Sequence, residues 1–366
     1  MTTRAGKHAG NRKATVAERL PLPPKSRASE PAVAVLPFLD LRRERGDAPL
    51  AEGIAEELIQ ALNQVEGLRA ISRTTSFLYG GSGLPLAEVG RRLHADAVLG
   101  GSLLERNGLL VLKAELVDVA SAQEIWSAAR DFDRRDLFAT LEDTAREVAS
   151  ALSLSAAFRP RRPVDLEAYG YYLRGRQYYY RFNRRGMGFA AEMFRRALDL
   201  DPGYASAWAG LANASAYAYI YIERTEPQRE LAESCSRKAL ELDPDLAEAH
   251  ASRGVALSAA GMAEEAEEAF ETALRLDPNL YEAAYFYARH CLAAGKPERA
   301  VEYFEWAAAL RPEDFQAILL VAQVYHSLGV EDEAERARRK GLSLVEERLA
   351  REPDDVRARY LGANAL

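Results

Sequence analysis

The chain has 366 residues, of which 48% are hydrophobic and 28% charged, a length and composition that suit two globular domains. Its net charge of −7 argues against a nucleic-acid binder with a wholly basic surface. No apolar run approaches the roughly 20 residues that a membrane-spanning helix needs. Two cysteines, Cys235 and Cys291, make no disulfide framework. We therefore expect a cytoplasmic protein with buried free thiols.

Residues 1–30 form a basic tail. Seven Lys and Arg residues against Glu18 and Glu30 give this tail a charge of +5, which leaves −12 for the rest of the chain. Because the tail is poor in large apolar residues and rich in proline, we expect it to be disordered. It is interpreted either as a solvated leader, which we favour, or as an electrostatic arm for nucleic acid or acidic lipid. Nucleic acid is expected as a partner only through this tail.

Residues 31–155 are predicted to form an α/β domain. The first strand, 32–38, is an almost continuous apolar run, as expected where both faces of a strand are buried. Helices are then predicted at 51–65, 86–94 and 136–153, and further strands at 68–72, 97–105, 109–119 and 124–132. The resulting order, β-α-β-α-β-β-β-α, predicts one mixed sheet with helices packed on it.

Two loops of this domain carry specific signals. Asn107 and Gly108 predict a tight hairpin, because both residues tolerate the positive φ of a type I′ turn. The stretch Gly80-Gly81-Ser82-Gly83 is rich in glycine but lacks the Lys-Ser/Thr of a phosphate-binding loop. It also lacks the spacing of a nucleophile elbow, since Leu84 stands where a glycine is needed. We interpret it as a flexible turn between a strand and a helix.

Several segments of this domain also resemble a known family. In chain order they are "VAVLPF", "GIAEELIQALNQVEGL", "ISRTTSF", "LAEVGRRLHADAVLGGSL" and "LVDVASAQEIWSA". Together they resemble the amino-terminal-like domain of the TolB type, which in bacteria often precedes tetratricopeptide repeats. In relatives the pair commonly follows a winged-helix, nucleotide-cyclase or protein-kinase domain. Only about 30 residues precede the domain in this chain, so we do not expect the activities of those domains here.

The second half of the chain, after a basic linker predicted at 156–165, repeats every 34 residues. The repeated columns are Gly261/Gly295/Gly329, Ala266/Ala300/Ala334, Phe270/Phe304, Ala273/Ala307 and Pro244/Pro278/Pro312. A fixed period of this size is typical of stacked-repeat arrays, which serve as binding surfaces. The order of small, aromatic and small residues before a proline resembles the tetratricopeptide repeat (TPR) family. The resemblance implies an all-α superhelix over 166–366, with about five repeats and a half.

The terminal repeats are less regular than the middle ones. The first, 166–202, is expected to contain an added loop near Gly186, and the second carries eight extra residues around 217–227. In the fifth repeat, Arg338 stands where the aromatic residue is expected. Residues 357–366 look like the first helix of a sixth repeat, which either caps the array alone or reflects truncation from a longer ancestor.

No residue set in the sequence predicts catalysis. The five histidines are not paired with Cys, Asp or Glu at metal-ligand spacing, and adjacent His290 and Cys291 point about 100° apart on a helix. No Ser/His/Asp or Cys/His set can be assembled from the sequence. We therefore expect no enzyme, no metal site and no cofactor.

The first repeat is rich in tyrosine and arginine, a mixture that suits peptide capture or single-stranded nucleic acid, although much of it is expected to pack internally. The resemblance implies that the first helix of each pair lines the concave wall of the array. Residues between the packing positions then point into the groove. These positions give nine candidate protein-binding residues, Tyr172, Arg176, Tyr179, Asn213, Tyr217, Tyr285, Arg289, Gln323 and His326.

The sequence thus predicts a non-catalytic protein–protein interaction scaffold of a bacterial regulatory or signalling assembly, with its partner on the concave face. One alternative is a DNA-linked transcription regulator or an accessory subunit related to winged-helix, TolB-like and TPR proteins. Another is a regulatory protein associated with a nucleotide cyclase. Under the first interpretation, replacing Arg176 and Arg289 by Glu is expected to abolish partner binding without unfolding the array.

Overall fold

The computed structural model describes residues 30–42, 50–71, 73–156, 164–180, 182–312, 314–351 and 353–366. The predictions for the basic tail, apart from Glu30, and for most of the linker lie outside the described residues. Most of the described chain is helical, with a small mixed sheet in its amino-terminal part. No helix in these ranges is long and apolar enough to cross a membrane.

The amino-terminal part begins with two short strands, β1 (Ala32–Val35) and β2 (Leu39–Asp40). A single apolar strand was predicted here, but Pro37 has no N–H for the sheet and separates the two. The other elements are α1 (Leu50–Asn63), β3 (Arg69–Ala70), α2 (Arg73–Phe77), α3 (Leu86–Leu93), β4 (Ala97–Arg106), β5 (Leu109–Asp118), β6 (Glu124–Phe132) and α4 (Leu137–Ala151). The sequence did not predict β2 or the short helix α2.

These strands form one six-stranded mixed sheet. Its order is β3-β1-β4-β5-β6, and β2 pairs with the far half of β4. Strand β1 runs parallel to β3 and β4, whereas β4, β5 and β6 are antiparallel. At the hairpin between β4 and β5, Asn107 has φ of 54° and Gly108 has φ of 81°. Both values lie in the left-handed region, which confirms the predicted tight turn.

Successive helix pairs make up the rest of the chain. They are α5 (Leu166–Tyr179) with α6 (Arg184–Leu200), α7 (Ala205–Tyr221) with α8 (Glu226–Leu242), α9 (Ala247–Ala260) with α10 (Ala263–Leu276), α11 (Tyr281–Ala293) with α12 (Pro297–Leu310), and α13 (Phe315–Ser327) with α14 (Glu331–Arg351). A single helix, α15 (Val356–Ala365), follows them. Helices α6, α7 and α8 have 17 residues each, against 14 in α9 and α10.

The extra length of the first repeat lies in a helix. Asn183 accepts a hydrogen bond from the backbone N–H of Gly186 at 2.8 Å, so α6 begins at Arg184. The loop predicted near Gly186 is therefore wrong. An asparagine before the glycines starts the helix early enough to include them.

Glycine residues and phenylalanine rings set the distance between neighbouring helices. A Cβ atom at Gly175 or at Gly210 would lie 2.6 Å from the ring of buried Phe194. Gly254 makes the same close approach to Phe270, at 2.8 Å. Helices can approach this closely only where no side chain intervenes, so these glycines make room for the phenylalanine rings.

The sheet and the first two helix pairs share one hydrophobic core, and the next pairs pack around a separate one. Helix α1 contacts α5 through Gly53, whose Cβ position lies 2.3 Å from Leu173 Cδ1 and 2.9 Å from Tyr169 Oη. From α4, Phe138 meets the Tyr169 ring edge-on at a centroid distance of 5.2 Å. The same cluster continues to buried Cys235 in α8. The domain boundary near residue 155 stays a prediction, and apolar packing is continuous on both sides of it.

Candidate functional site

A cavity of about 1330 Å³ lies between the helix pairs and the amino-terminal part. Helix α1 of the amino-terminal part closes one side, and α5, α7, α11 and α15 contribute to the wall. Among the lining residues are Glu56, Arg176, Tyr179, Asn213, Tyr281 and Arg357. The candidate site therefore involves the amino-terminal part as well as the repeats.

A chain of paired polar groups crosses this cavity, and we call it the Glu56–Arg311 chain. Arg176 forms an ion pair of 2.8 Å with Glu56 and donates a hydrogen bond of 3.2 Å to Tyr180 Oη. Tyr180 in turn donates to Glu282 at 2.8 Å, and Arg311 donates to the same carboxylate at 2.8 Å. Two carboxylates and two guanidinium groups thus balance each other across helices that are far apart in sequence.

The charge of Glu282 is stabilised within this chain. Burial raises the pKa of its carboxyl group, but Arg311 and Arg176 lower it more, with help from the hydrogen bond of Tyr180. The net effect is a pKa below the ordinary value. Glu282 is therefore ionised at neutral pH, and the Glu56–Arg311 chain joins charged partners.

Three other polar groups of the cavity lack hydrogen-bond partners among the described residues. They are the hydroxyl groups of Tyr179 and Tyr281 and the Oδ1 atom of Asn213. Both tyrosines are only 5% exposed, and burial raises the pKa of both phenols, so they are neutral donors. A buried polar group without a partner costs free energy of about 1 to 3 kcal/mol. Each of these groups therefore has an unused capacity for a hydrogen bond.

A second group of side chains lies beside the cavity, and we call it the Tyr285 cluster. It consists of Tyr217, Tyr221, Tyr285, Arg289 and Arg357. The rings of Tyr217 and Tyr221 are 4.7 Å apart, and the Arg289 guanidinium lies 4.7 Å from the Tyr221 centroid. Arg289 and Arg357 both donate to Tyr285 Oη, at 3.3 and 3.2 Å. The cluster connects α7, α11 and α15 and has a cationic, aromatic character.

The nine nominated residues fall into three groups in the structure. Tyr172, Arg176, Tyr179 and Asn213 line the cavity, and Tyr217, Tyr285 and Arg289 belong to the Tyr285 cluster. Tyr172 is 7% exposed and packs its ring at 5.0 Å from that of Tyr204, so much of its surface serves the core. Gln323 and His326 do not line the cavity, and His326 pairs with Glu331 at 3.0 Å.

The sequence did not nominate Tyr180, Glu282, Arg311 and Arg357, although Tyr180 belongs to the tyrosine- and arginine-rich first repeat. One signal was available for Arg311, since it precedes the repeated proline. Three earlier repeats carry an aspartate in that column, Asp201, Asp243 and Asp277. A reversal of charge in a repeated column indicates a local role. The other three residues occupy positions where no such contrast is visible.

The structure also brings a serine, a histidine and a carboxylate together, away from the cavity. His290 Nδ1 lies 2.9 Å from Ser258 Oγ, but His290 Nε2 lies 3.9 Å from Glu267, beyond hydrogen-bond distance. Glu267 is instead held by Lys296 and Arg299. The carboxylate therefore does not orient the imidazole, as a catalytic triad requires. We interpret this set as a polar contact between α9, α10 and α11.

Known proteins are similar to this chain in its repeats. The tetratricopeptide repeat family model matches residues 257–305. Solved structures of TPR proteins also resemble the chain. The match with TTC0263 of Thermus thermophilus covers 54% of this chain and 98% of that protein, with 18% identity and a TM-score of 0.42. The match with PilF of Pseudomonas aeruginosa covers 54% of this chain and 88% of that protein, with 25% identity and a TM-score of 0.38.

A curated relative matches a longer part of the chain. It is named "Putative adenylate cyclase 3" and comes from Rhizobium meliloti (strain 1021). The two proteins are 30% identical over 253 residues, which make up 67% of this chain. The matched region spans 43% of the relative.

Proposed function

We propose that this protein is a non-catalytic scaffold of a bacterial regulatory assembly, and that it binds a partner protein or peptide in its concave cavity. TPR proteins generally mediate protein–protein interaction. The observation that carries the proposal is that Tyr179, Tyr281 and Asn213 all line the cavity and each hold a buried polar atom without a hydrogen-bond partner among the described residues. Their hydroxyl groups can donate to backbone carbonyl groups, and the asparagine oxygen can accept from an N–H.

The size and charge of the cavity support a peptide as occupant. Small-molecule pockets measure roughly 300 to 1,000 Å³, whereas this cavity measures about 1330 Å³. The Glu56–Arg311 chain is balanced in charge, which suits a peptide backbone better than a strongly charged polymer. Neutral donors and acceptors along the wall bind main-chain groups without demanding one side-chain sequence.

The proposal is tested by removing two hydroxyl groups together, Tyr179→Phe with Tyr281→Phe. Neither hydroxyl has a partner among the described residues, so stability should change little. Loss of two hydrogen bonds should weaken partner binding by about tenfold or more. Affinity is measured by calorimetry with the partner identified by capture from the native host.

The matched control is Tyr325→Phe, because Tyr325 bonds Glu305 and does not line the cavity. Equal affinities for the wild type, the control and the double variant would refute binding in the cavity. Replacing Arg176 by Glu is a poor test, since the new carboxylate would face Glu56 and disturb the fold.

A second candidate function is suggested by the relative named an adenylate cyclase. In that case the chain is a regulatory protein associated with a nucleotide cyclase, since it spans less than half of that relative. The two candidates differ in the identity of the captured partner. Conversion of ATP to cyclic AMP by the pure chain would contradict both, because each assigns the chain no catalysis.

A further inference from the structure

Arg289 and Arg357 meet at one oxygen atom. Arg289 Nη1 lies 3.3 Å and Arg357 Nη2 lies 3.2 Å from Tyr285 Oη, and Tyr285 is only 4% exposed. The two arginines come from different helices, α11 and α15, so the fold and not local sequence brings them together. Two like charges beside one hydroxyl oxygen repel each other, and this arrangement favours an anion nearby.

Neither of these arginines has a carboxylate partner among the described residues. The second contact of Arg357 is the amide oxygen of Gln316, at 3.1 Å. The second contact of Arg289 is the ring of Tyr221, and its Nε atom is buried without a hydrogen-bond partner. In the Glu56–Arg311 chain, by contrast, each arginine is paired with a carboxylate. The Tyr285 cluster therefore carries two unbalanced positive charges.

We propose that Arg289 and Arg357 bind a phosphate dianion, either free or as a phosphomonoester. A dianion balances both guanidinium groups, whereas a carboxylate balances one. Planar guanidinium forks donate two parallel hydrogen bonds to phosphate oxygens, and the Nε of Arg289 is one such donor. Arg357 and Gln316 line the cavity, so the Arg357 end of the cluster borders it.

An ester could add a contact with an aromatic ring. Tyr221 keeps 40% of its surface exposed, although Arg289 lies 4.7 Å from its ring centroid. The organic part of a phosphomonoester can pack on the remaining ring surface. Inorganic phosphate and phenyl phosphate, used as separate probes, therefore distinguish the two sources of the phosphate group.

The test is calorimetric titration of the full chain with inorganic phosphate, phenyl phosphate and acetate at equal ionic strength and about pH 8, where a phosphate group is a dianion. We expect one saturable site for a phosphate probe and clearly weaker binding of acetate. Arg289→Gln and Arg357→Gln should each reduce phosphate affinity by about tenfold or more, because each removes charge-assisted hydrogen bonds. Tighter binding of phenyl phosphate identifies an ester as the ligand, and the reverse identifies free phosphate.

The matched control is Arg348→Gln. Arg348 also lines the cavity, but its guanidinium bonds Asp355 at 2.9 Å. This variant should bind phosphate like the wild type, and circular dichroism should show equal helix content in all variants. Acetate binding as tight as phosphate, absence of saturable binding, or unchanged affinity in both Tyr285-cluster variants would overturn the proposal.

The phosphate site and the proposed partner site use different residues, although both border the same cavity. The Tyr179→Phe and Tyr281→Phe double variant keeps both arginines of the Tyr285 cluster and should retain phosphate binding. Loss of partner binding with retained phosphate binding separates the two sites. Failure of one proposal therefore leaves the other open to its own test.

Discussion

Tyr180 donates a hydrogen bond of 2.8 Å to Glu282, across a separation of 102 residues. In a stacked-repeat array each repeat ordinarily contacts only its neighbours. Here the end of α5 in the first pair reaches the start of α11 in the fourth. The array therefore curves tightly enough for distant repeats to touch, and the Glu56–Arg311 chain is the polar contact that joins them.

Replacing Glu282 by Gln should destabilise the protein. The substitution keeps the size of the side chain but leaves Arg176 and Arg311 with Glu56 as the single carboxylate of the chain. Breaking a buried ion pair costs about 3 to 5 kcal/mol. Glu282 retains 16% exposure, so we expect about 2 kcal/mol less free energy of unfolding, measured by urea denaturation. Tyr180→Phe should cost about 1 kcal/mol.

The control for this prediction is Glu268→Gln. Glu268 is exposed on α10, and among the described residues its carboxylate forms no ion pair. Its replacement should leave the urea midpoint nearly unchanged. If Glu282→Gln and Glu268→Gln have equal effects, the Glu56–Arg311 chain does not stabilise the curvature of the array.

Gly53→Ala should weaken the contact between α1 and α5. The new methyl group would lie 2.3 Å from Leu173 Cδ1 and 2.9 Å from Tyr169 Oη, and both neighbours are buried. Overpacking of this kind costs about 1 to 3 kcal/mol, and the better helix propensity of alanine returns less than about 1 kcal/mol. We expect a net loss of about 1 to 2 kcal/mol in urea denaturation.

Gly188→Ala is the matched control, because Gly188 is also a helical glycine but no atom beyond its own stretch of helix lies within 4 Å of its Cβ position. It should be neutral or stabilising by up to about 1 kcal/mol. Equal destabilisation by both substitutions would mean that the close approach of α1 to α5 is not the cause of the lost stability.

Local features of this fold were predictable from the sequence. The 34-residue columns located the helix pairs, because the third and fourth repeats pack in the same way, with glycine, alanine and phenylalanine at the same positions. The turn at Asn107-Gly108 was predictable because positive φ restricts the residue type. In both cases a short stretch of chain contains the whole physical reason.

The candidate site was only partly predictable. The sequence nominated Arg176 and Arg289, but it did not show that Glu56 neutralises the first and that no carboxylate of the described residues neutralises the second. Those partners depend on the curvature of the superhelix and on the position of α1. Both follow from the sum of many helix contacts, among them those of the long helices α6 to α8. A single repeat therefore does not reveal them.

The stability of the protein should fall as the pH drops below the ordinary histidine pKa of about 6.5. His290 is 5% exposed, and burial lowers its pKa more than Glu267 raises it. In the unfolded chain, His290 binds a proton near the ordinary histidine pKa, whereas in the folded protein it binds one only at lower pH. Acid therefore favours unfolding. Each unit of pKa difference corresponds to about 1.4 kcal/mol.

The measurement is the free energy of unfolding at pH values from about 7.5 to about 5.5, a range that brackets the ordinary histidine pKa, for the wild type and for His290→Gln. The variant cannot titrate at this position, so its stability should change less over the range. The lowered pKa of Glu267, beside Lys296 and Arg299, reduces stability only at more acidic pH, below the ordinary glutamate value. A variant with the same pH dependence as the wild type would exclude His290 as the cause.

Cys235 and Cys291 should resist thiol reagents in the folded protein. Both are free and buried, with 1% and 0% exposure, as the sequence predicted. Burial raises the pKa of Cys235 to about 11 and that of Cys291 to about 12, so almost no reactive thiolate exists at about pH 8. A chromogenic disulfide reagent should therefore modify neither thiol quickly without denaturant and both in about 6 M guanidinium, a concentration well above the roughly 5 M midpoint of very stable proteins.

Variants with a single cysteine show how fast each thiol is modified in the folded protein, and thus how often its surroundings open. Cys235→Ala reports on Cys291, and Cys291→Ala reports on Cys235. Destabilisation by Glu282→Gln should accelerate the reaction of Cys291, because both residues lie on α11. Rapid modification of Cys291 in the folded wild type would contradict the packing of α11 between its neighbours. An unchanged rate in Glu282→Gln would show that α11 opens independently of the Glu56–Arg311 chain.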